Sequence, residues 1–213
     1  MPFGRSRWTL LLPMILTLGC VAELPPADGP APCTSADVSE ERGLLRCAEG
    51  VEPGYTMFSP LGSNTTWLID SRGEVVHRWD TDRAPGISAY LLPTGNLLRP
   101  GVRPQNPGDM PQPAGHGGHI QELAPDGEVV WTFDYGGPDH YQHHDIEPLP
   151  SGNVLVLAWE RKTADEALAA GRDPALLSGD GVWPEHIVEV DRGGEIVWRW
   201  HLWDHLVQNR DEE

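Results

Sequence analysis

Basic residues are scarce in this sequence. Its 213 residues include 15 lysines and arginines against 32 aspartates and glutamates, which gives a formal net charge of −17. Because proteins bind nucleic-acid phosphates mainly through lysine and arginine, this balance argues against a nucleic-acid partner. A sulfated or phosphorylated substrate would have to meet local positive groups inside an acidic field.

Long apolar runs are also missing, except for one at the N-terminus. Residues 8–18 are apolar and follow Arg5 and Arg7. Because this run is too short to cross a bilayer core of roughly 30 Å as a helix, it predicts an export signal over residues 1–20. Cys20 directly follows Gly19, as in bacterial lipoproteins, so we predict a lipid anchor there and a periplasmic or outer-membrane location. Ordinary signal cleavage nearby is the alternative.

Cysteine is rare, with three residues in the chain. No Cys-x-x-Cys motif and no zinc-type spacing of cysteine with histidine occurs, which speaks against a metal site built from thiolates. With Cys20 assigned to a lipid, Cys33 and Cys47 remain as a pair, and export allows a disulfide between them. We predict that residues 21–50 form a tether, rich in proline and alanine in its first part, that contains this disulfide.

The rest of the chain carries a recurring pattern of short β-strands. Glycine-led segments rich in valine and tryptophan occupy residues 73–79, 127–133 and 194–200, each after a run typical of a strand. Their tight-turn residues and the lack of a helical period predict a hairpin at each place. Second hairpins with Pro-x-Gly-Asn turns follow the first two, over residues 92–98 and 149–155.

Four short strands in each unit, with periodic glycine and tryptophan, predict an all-β fold of the β-propeller type. We expect each opening hairpin and the second hairpin after it to form one four-stranded antiparallel blade. Residues 51–213 then supply about two and a half blades, with tryptophans packed between them. Residues 163–177 predict a short helix between the second and third blades. An open ring would expose a strand edge, through which self-association is expected.

Two histidines occupy the same position in this pattern. His119 and His186 each lie eight residues before the turn glycine of an opening hairpin, where the first unit has Thr65. A shared position suggests a shared role, such as lining the central channel or its mouth. Capping of strand ends is the alternative interpretation.

The stretch His143-His144-Asp145 lies at the predicted start of a strand, eight residues before Gly152 counted from His144. Innermost propeller strands begin at the central channel, where Asp145 could fix a histidine tautomer and leave one ring nitrogen free. Adjacent strand residues point to opposite faces, so the three side chains cannot all point inward. A metal site is the competing interpretation, although its spacings match no helix-borne motif; it would involve His116, His119, His140, His143 and His144.

Three stretches of the chain together resemble the bacterial arylsulfotransferases: the Gly-Glu-Val-Val-Trp openings, residues 142–153, and Trp-Asp-His-Leu at residues 203–206. The resemblance extends over roughly residues 55–208. It implies a six-bladed propeller that acts outside the cytoplasm and moves a sulfuryl group from a phenolic sulfate ester to another phenol. It also implies a histidine intermediate, no cofactor, and no nucleotide sulfate donor.

Carried onto this chain, the resemblance makes His144, beside Asp145, the leading candidate for an active-site histidine. Further histidines and a cationic group would stabilise the charged oxygens; the candidates are His119, His143, His186, Arg99 and Arg161. A closed propeller needs about four to eight blades, so a truncated and inactive member is one alternative. A non-catalytic envelope binding module is another. A quinone-dependent propeller dehydrogenase is disfavoured, since no recognisable metal or cofactor set is present.

Overall fold

The computed structural model of the chain describes residues 31–39, 43–109, 115–177, 179 and 181–205. The predicted export signal and the predicted lipid anchor at Cys20 lie outside these residues. Within the described part of the chain, no helix is both long and apolar enough to cross a membrane.

The described residues form three main antiparallel sheets. Sheet 1 contains β1 (Tyr55–Phe58), β2 (Thr65–Asp70) and β3 (Val75–Asp80). Sheet 2 contains β4 (Tyr90–Leu91), β5 (Leu97–Val102), β6 (Gly118–Leu123) and β7 (Val129–Asp134) in that order. Sheet 3 has the order β8 (His140–Pro148), β9 (Val154–Glu160), β12 (Glu185–Val190) and β13 (Ile196–His201).

A small insertion separates β9 from β12. It consists of β10 (Lys162–Thr163), the helix α1 (Ala164–Ala169), a 3-10 turn (Pro174–Leu176) and β11 (Gly181–Val182), and a further 3-10 turn (Leu202–His205) follows β13. The predicted helix is present but shorter than residues 163–177, since Gly171 and Pro174 interrupt it. Its predicted position between two blades was wrong, because β9 and β12 pair within one sheet.

Two of the three opening hairpins close in the same way. The carboxylate of Asp70 accepts hydrogen bonds from the backbone N–H groups of Arg72 and Glu74, and Asp191 does the same for Gly193 and Glu195. A register shift occurs at the same place in all three hairpins, between residues 68 and 69, 122 and 123, and 189 and 190. These devices are local, which is why the turns could be predicted from sequence.

The predicted grouping of hairpins into blades was wrong. Each second hairpin pairs with the opening hairpin that follows it, so that β5 pairs with β6 and β9 pairs with β12. The turn asparagines reinforce this pairing, because Asn96 Nδ2 donates to Glu122 Oε1 at 2.6 Å and Asn153 Nδ2 donates to Glu189 Oε1 at 2.6 Å. As a result sheet 1 has three strands, while sheets 2 and 3 each have four.

The all-β class and the four-stranded antiparallel sheets are confirmed. No sheet closes on itself among the described residues, so the six-bladed propeller stays a prediction. The core lies between neighbouring sheets. Leu98 and Ile120 of sheet 2 pack in one cluster with Val156 and Val188 of sheet 3, all fully buried. Each such side chain contributes about 1.5–3 kcal/mol relative to an exposed one.

Tryptophans join each sheet to the next, as predicted. Trp79 is 1% exposed, packs with Leu97 and Leu123 of sheet 2, and donates from Nε1 to the Ala124 carbonyl at 3.0 Å. Trp131 of sheet 2 donates in the same way to the Arg192 carbonyl of sheet 3, at 3.1 Å. Trp198 in sheet 3 is 46% exposed and makes no such contact in the described structure.

The segment before sheet 1 is held by a disulfide. Cys33 and Cys47 are bonded, with their Cα atoms 6.0 Å apart. The Ala31 carbonyl accepts a hydrogen bond from the Ser71 hydroxyl at 2.9 Å, and Leu44 lies against Gly73. The described part of the predicted tether therefore packs against the turn between β2 and β3 of sheet 1.

Candidate functional site

The stretch His143-His144-Asp145 lies in a bulge of β8. Pairing with β9 holds from His140 to Gln142 and resumes at Ile146, which leaves the three residues between without partners on β9. His144 has a φ of 50°, a left-handed conformation uncommon for residues other than glycine. The predicted position at the start of a strand was wrong, because the stretch lies in its middle. Bulges of this kind redirect side chains, and they are frequent beside active sites.

The bulge brings two histidine rings into contact. His143 Nδ1 and His144 Nδ1 are 2.7 Å apart, and their ring planes are nearly perpendicular. His143 is buried and stacks on the indole of Trp159, with ring centroids 3.8 Å apart, whereas the His144 side chain is exposed. A hydrogen bond between two ring nitrogens needs one donor and one acceptor, so at least one of the rings is neutral.

The ring of His143 is neutral at pH 7. Burial lowers its pKa to about 4, and the neighbouring His144 and His186 add to the effect. At pH 7 its ring therefore carries no charge, and one of its two nitrogens is an acceptor. The exposed ring of His144 thus rests against a neutral base.

Two loops of the second sheet hold the bulge in place. The His144 N–H donates to the Gly115 carbonyl at 2.7 Å, and the Ser88 N–H donates to the His144 carbonyl at 3.4 Å. Gly115 itself has a φ of +83°, and a β-carbon there would overlap the imidazole of His144. Glycine is therefore needed at position 115, both for its backbone conformation and for the space that the ring occupies.

Asp145 is directed away from the two rings. Its Oδ1 accepts from the Tyr90 hydroxyl at 3.0 Å and from the Ile146 N–H at 2.9 Å. Burial and this carboxylate raise the pKa of the Tyr90 hydroxyl. In the described structure, the group that meets the His144 ring is His143 rather than Asp145.

The shared position of His119 and His186 is confirmed by strand register. In each opening hairpin this position faces one residue across the pair; the three pairs are Thr65 with Asp80, His119 with Asp134, and His186 with His201. His119 Nδ1 lies 2.7 Å from Asp134 Oδ1, much as the Thr65 hydroxyl donates to Asp80 at 2.8 Å. Both histidines lie on the third strand of their sheets and make no hydrogen bond or ring contact with His144 among the described residues.

His186 belongs to a second cluster of titratable groups. Its Nε2 lies 2.8 Å from the Tyr135 hydroxyl, and its ring stacks on His201 at 5.3 Å. Burial lowers the pKa of His186 to about 4, although Glu160 opposes the shift, and burial raises the pKa of Tyr135 to about 12. Glu160 Oε2 lies 3.0 Å from His201 Nδ1, without the alignment of a hydrogen bond, and 3.1 Å from Lys162 Nζ.

The two arginines proposed from sequence lie in different places. Arg99 is fully buried, and its guanidinium donates to the Thr81 hydroxyl at 3.0 Å and to the Arg83 carbonyl at 2.8 Å, in the connection between sheets 1 and 2. Burial lowers its pKa to about 10, so it remains charged at pH 7. Arg161 follows β9, and its guanidinium lies 5.8 Å from the ring centre of Trp183.

Several residues at this site escaped prediction. Trp159 and Gly115 contact the histidine pair, and Tyr135 and His201 contact His186. The contact made by Gly115 has a signal in the glycine-rich run at residues 115–118, because consecutive glycines beside histidine indicate close approach of backbone to side chain. Trp159 carries no such signal, since it follows an apolar run as many strand residues do.

The five histidines of the metal interpretation do not gather into a ligand set. No group of three or more His, Cys, Asp or Glu side chains in the described residues is placed to hold a metal ion. His119 faces Asp134, and His116 lies across an isolated bridge from His143.

This all-β chain holds an exposed imidazole against a neutral second imidazole at a strand bulge. It therefore falls in the class of proteins that can use histidine as nucleophile, acid or base. The family model for arylsulfotransferase (ASST) matches residues 48–213, and the chain belongs to this family. A comparison with curated proteins found no match. Membership supports sulfotransferase activity in general, with aryl sulfates and phenols as substrates, and the family is typically exported to the periplasm.

Proposed function

We propose that this chain transfers a sulfuryl group from an aryl sulfate ester to a phenolic acceptor through a covalent intermediate on His144. The observation that carries the proposal is the 2.7 Å contact between His143 Nδ1 and His144 Nδ1. It gives an exposed ring, a neutral partner for that ring and a fixed orientation. The family membership supports the choice of substrates.

The two histidines suit different roles because their burial differs. A sulfate ester can reach the exposed His144, whereas His143 is 6% exposed and covered by Trp159. When the Nδ1–H of His144 donates to His143 Nδ1, the lone pair of His144 lies on Nε2, where it can attack sulfur. We assign His143 the role of a positioning residue that holds His144 in this reactive tautomer and carries its own proton on Nε2.

The reaction then proceeds in two displacements. In the first, His144 Nε2 forms a bond to sulfur, the bond between sulfur and the aryl oxygen breaks, and the phenolate leaves with the electron pair. The resulting imidazolium keeps its Nδ1–H bonded to the neutral His143, which stabilises the new positive charge. In the second, the acceptor oxygen attacks sulfur, the N–S bond breaks, the electron pair returns to Nε2, and the acceptor proton passes to solvent. In-line geometry at sulfur is required in both steps, as in phosphoryl transfer.

The intermediate gives a direct test. The chain is mixed with 4-nitrophenyl sulfate without an acceptor, quenched, digested and analysed by mass spectrometry for a peptide that has gained one SO3 group. We expect the label on His144, and we expect added phenol to discharge it. His205, an exposed residue that stacks on Trp200, provides a matched control as His205→Gln. A label on another residue, or full transfer activity in His144→Ala, would remove His144 from the mechanism.

Export and anchoring form a separate proposal. We infer that residues 1–20 direct the chain across the membrane and that Cys20 carries a lipid. The Cys33–Cys47 disulfide supports an oxidising compartment. The test is detergent phase partition of the expressed chain beside Cys20→Ser, which we expect to move from the detergent phase to the aqueous phase. Aqueous partition of the unmodified chain would contradict the anchor.

A non-catalytic envelope module that associates with another chain is the second candidate function. The observation that favours it is a row of partly exposed apolar side chains on sheet 3, where Leu155, Leu157 and Ile187 line a cavity of about 180 Å³. Light scattering after size exclusion tests this candidate. If this candidate is right, the unmodified chain forms an assembly and Ile187→Lys dissociates it. A monomeric unmodified chain would count against this candidate.

A further inference from the structure

A cleft lies between helix α1, the residues after β11 and the 3-10 turn Leu202–His205. Its walls include Trp183, Trp203, Pro184 and Leu202, with Arg172 at the edge, and its volume is about 270 Å³. We propose that this cleft, named here the tryptophan cleft, binds the ring of a single-ring aryl anion. The inference rests on the proposed function for its choice of an aryl sulfate, and it concerns a place that the transfer mechanism does not use.

The framework of the tryptophan cleft is well fixed. Thr163 caps helix α1, since its N–H donates to Glu166 Oε2 at 2.7 Å and its hydroxyl accepts from the Glu166 N–H at 3.2 Å. Ala167, the buried residue of this helix, forms part of the wall. Gly181 pairs with Thr163 in the short β10–β11 ladder, where a β-carbon would overlap the Lys162 carbonyl. Because Trp183 follows this ladder by one residue, its position is set before a ligand arrives.

The size and the lining of the cleft suit one aromatic ring with a small polar group. An apolar cavity of about 150 Å³ is enough for benzene, and drug-sized ligands occupy roughly 300–1,000 Å³. The volume of about 270 Å³ falls between these limits. Two indole rings also provide the faces and edges with which an aromatic ligand packs best.

Basic side chains lie beside the two indole rings of the tryptophan cleft. Lys162 Nζ lies 5.6 Å from the ring centre of Trp203, and the Arg161 guanidinium lies 5.8 Å from that of Trp183. With Arg172, these three basic residues lie within a stretch of twelve residues that also contains Asp165 and Glu166. The choice of an anionic ligand therefore rests on Arg172 in the lining of the cleft, and not on the net charge of the surroundings.

Arg172 is the group best placed to receive the anion. It is exposed, and its Nη2 donates to the Leu176 carbonyl at 3.2 Å, so the guanidinium keeps further N–H donors for a sulfate. Lys162 is less free, because its Nζ lies 3.1 Å from the Glu160 carboxylate. The same carboxylate also lies near His201, so two side chains of the protein already neighbour its negative charge.

The tryptophan cleft adjoins β9, the strand that pairs with β8, which carries the histidine pair. The Glu160 N–H donates to the carbonyl of Pro184 in the cleft wall at 2.9 Å. Trp159, on which His143 stacks, pairs in register with Glu185, the residue after Pro184. A ring held in the cleft is thus bound where β9 ends and β12 begins, one residue beyond the pairing of Trp159 with Glu185.

The experiment uses 4-methylbenzenesulfonate, which has no ester oxygen and cannot donate its sulfur group. Binding to the full chain is measured by calorimetry and by tryptophan fluorescence. We expect a site in the tryptophan cleft whose affinity is about tenfold weaker in Arg172→Gln through loss of a charge-assisted hydrogen bond, and about fivefold weaker in Trp203→Leu through loss of aromatic packing. Because the proposed transfer site also admits an aryl anion, the same changes are compared in a His144→Ala background, where the cleft site is expected to persist. Trp198→Leu is the control expected to bind like the unmodified chain.

Equal affinity in Arg172→Gln and the unmodified chain would overturn the inference, and so would equal binding of methanesulfonate, which lacks the ring. If Trp203→Leu loses its fold by circular dichroism, the exposed Arg172 still provides the test. Binding that depends on Arg172 in a chain without transfer activity would uphold the tryptophan cleft and reject the proposed function. Transfer through His144 with no binding change in the cleft variants would uphold the proposed function and reject the tryptophan cleft as a binding site.

Discussion

The histidine in the bulge of β8 and the histidines at regular strand positions differ in what their rings are free to do. His119 and His186 lie within paired strands, and each has a ring nitrogen within 2.8 Å of an Asp134 or Tyr135 oxygen. His144 lies outside strand pairing, and its ring is exposed with a neutral imidazole as its partner. The comparison shows that a recurring position in a β-sheet favours a structural contact, while a break in the ladder leaves a ring available to a ligand.

The largest expected effect comes from removing the bulge ring. His144→Ala should lower the rate of transfer from 4-nitrophenyl sulfate to phenol by a factor of roughly 10³ or more, as loss of a covalent nucleophile does. His119→Gln should lower it less than about tenfold, because His119 is held by Asp134 across its own hairpin and makes no described contact with His144. Rates are measured from release of nitrophenol, with His205→Gln as the control. Equal losses in the His144 and His119 variants would break the comparison.

A smaller effect is expected from the neutral partner of the bulge ring. His143→Leu removes the acceptor at Nδ1 and should lower kcat by about 10², the usual size of a lost general-base contact. His143→Asn places an amide oxygen near the position of that nitrogen and should restore about tenfold of the loss. The two variants are compared by kcat and KM for 4-nitrophenyl sulfate. If Asn and Leu give the same kcat, His143 acts by packing on Trp159 alone.

The parts of this molecule that sequence predicts well are those fixed by neighbours in the chain. Turn glycines and the carboxylates of Asp70 and Asp191 fix the opening hairpins, so hairpin positions follow from local pattern. The choice of partner for a hairpin depends instead on distant contacts such as Asn96 with Glu122. No local signal separates the observed grouping from the predicted one, because both satisfy the same strand pattern.

The candidate site shows the same division. Its central residues, His143 and His144, could be selected from sequence because the stretch is unusual and stands in phase with the turn glycine. The bulge could not be predicted, since it depends on a hydrogen bond from the His144 N–H to the Gly115 carbonyl and one from the Ser88 N–H to the His144 carbonyl, and both partners lie in loops of the preceding sheet. The alternation rule for strands therefore argued against a joint role for side chains that the bulge brings together.

A third prediction tests whether the position of the bulge ring matters apart from its chemistry. Gly115→Ala adds a methyl group where the His144 imidazole lies, at a φ of +83°. We expect kcat to fall about tenfold while KM changes little, and stability to fall by about 1 kcal/mol because alanine is strained at positive φ. Gly127→Ala is the matched control, since Gly127 has a φ of +88° with no heavy atom within 4 Å of an added β-carbon. It should lose the same stability and keep its kcat.

The smallest expected effect is on stability at low pH, and it distinguishes the buried rings from the exposed one. Burial lowers the pKa of both His143 and His186 to about 4, below the value of about 6.5 for an unfolded histidine. Between these values the unfolded chain binds more protons than the folded chain, so stability falls as the pH drops from about 6.5 to 4. The melting temperature should decrease by a few degrees over this window. Because His186→Gln removes one of the two buried rings, it should reduce the slope, whereas His144→Ala keeps both buried rings and should reduce the slope less. An equal slope in all three proteins would show that carboxylates, rather than these rings, control the acid sensitivity.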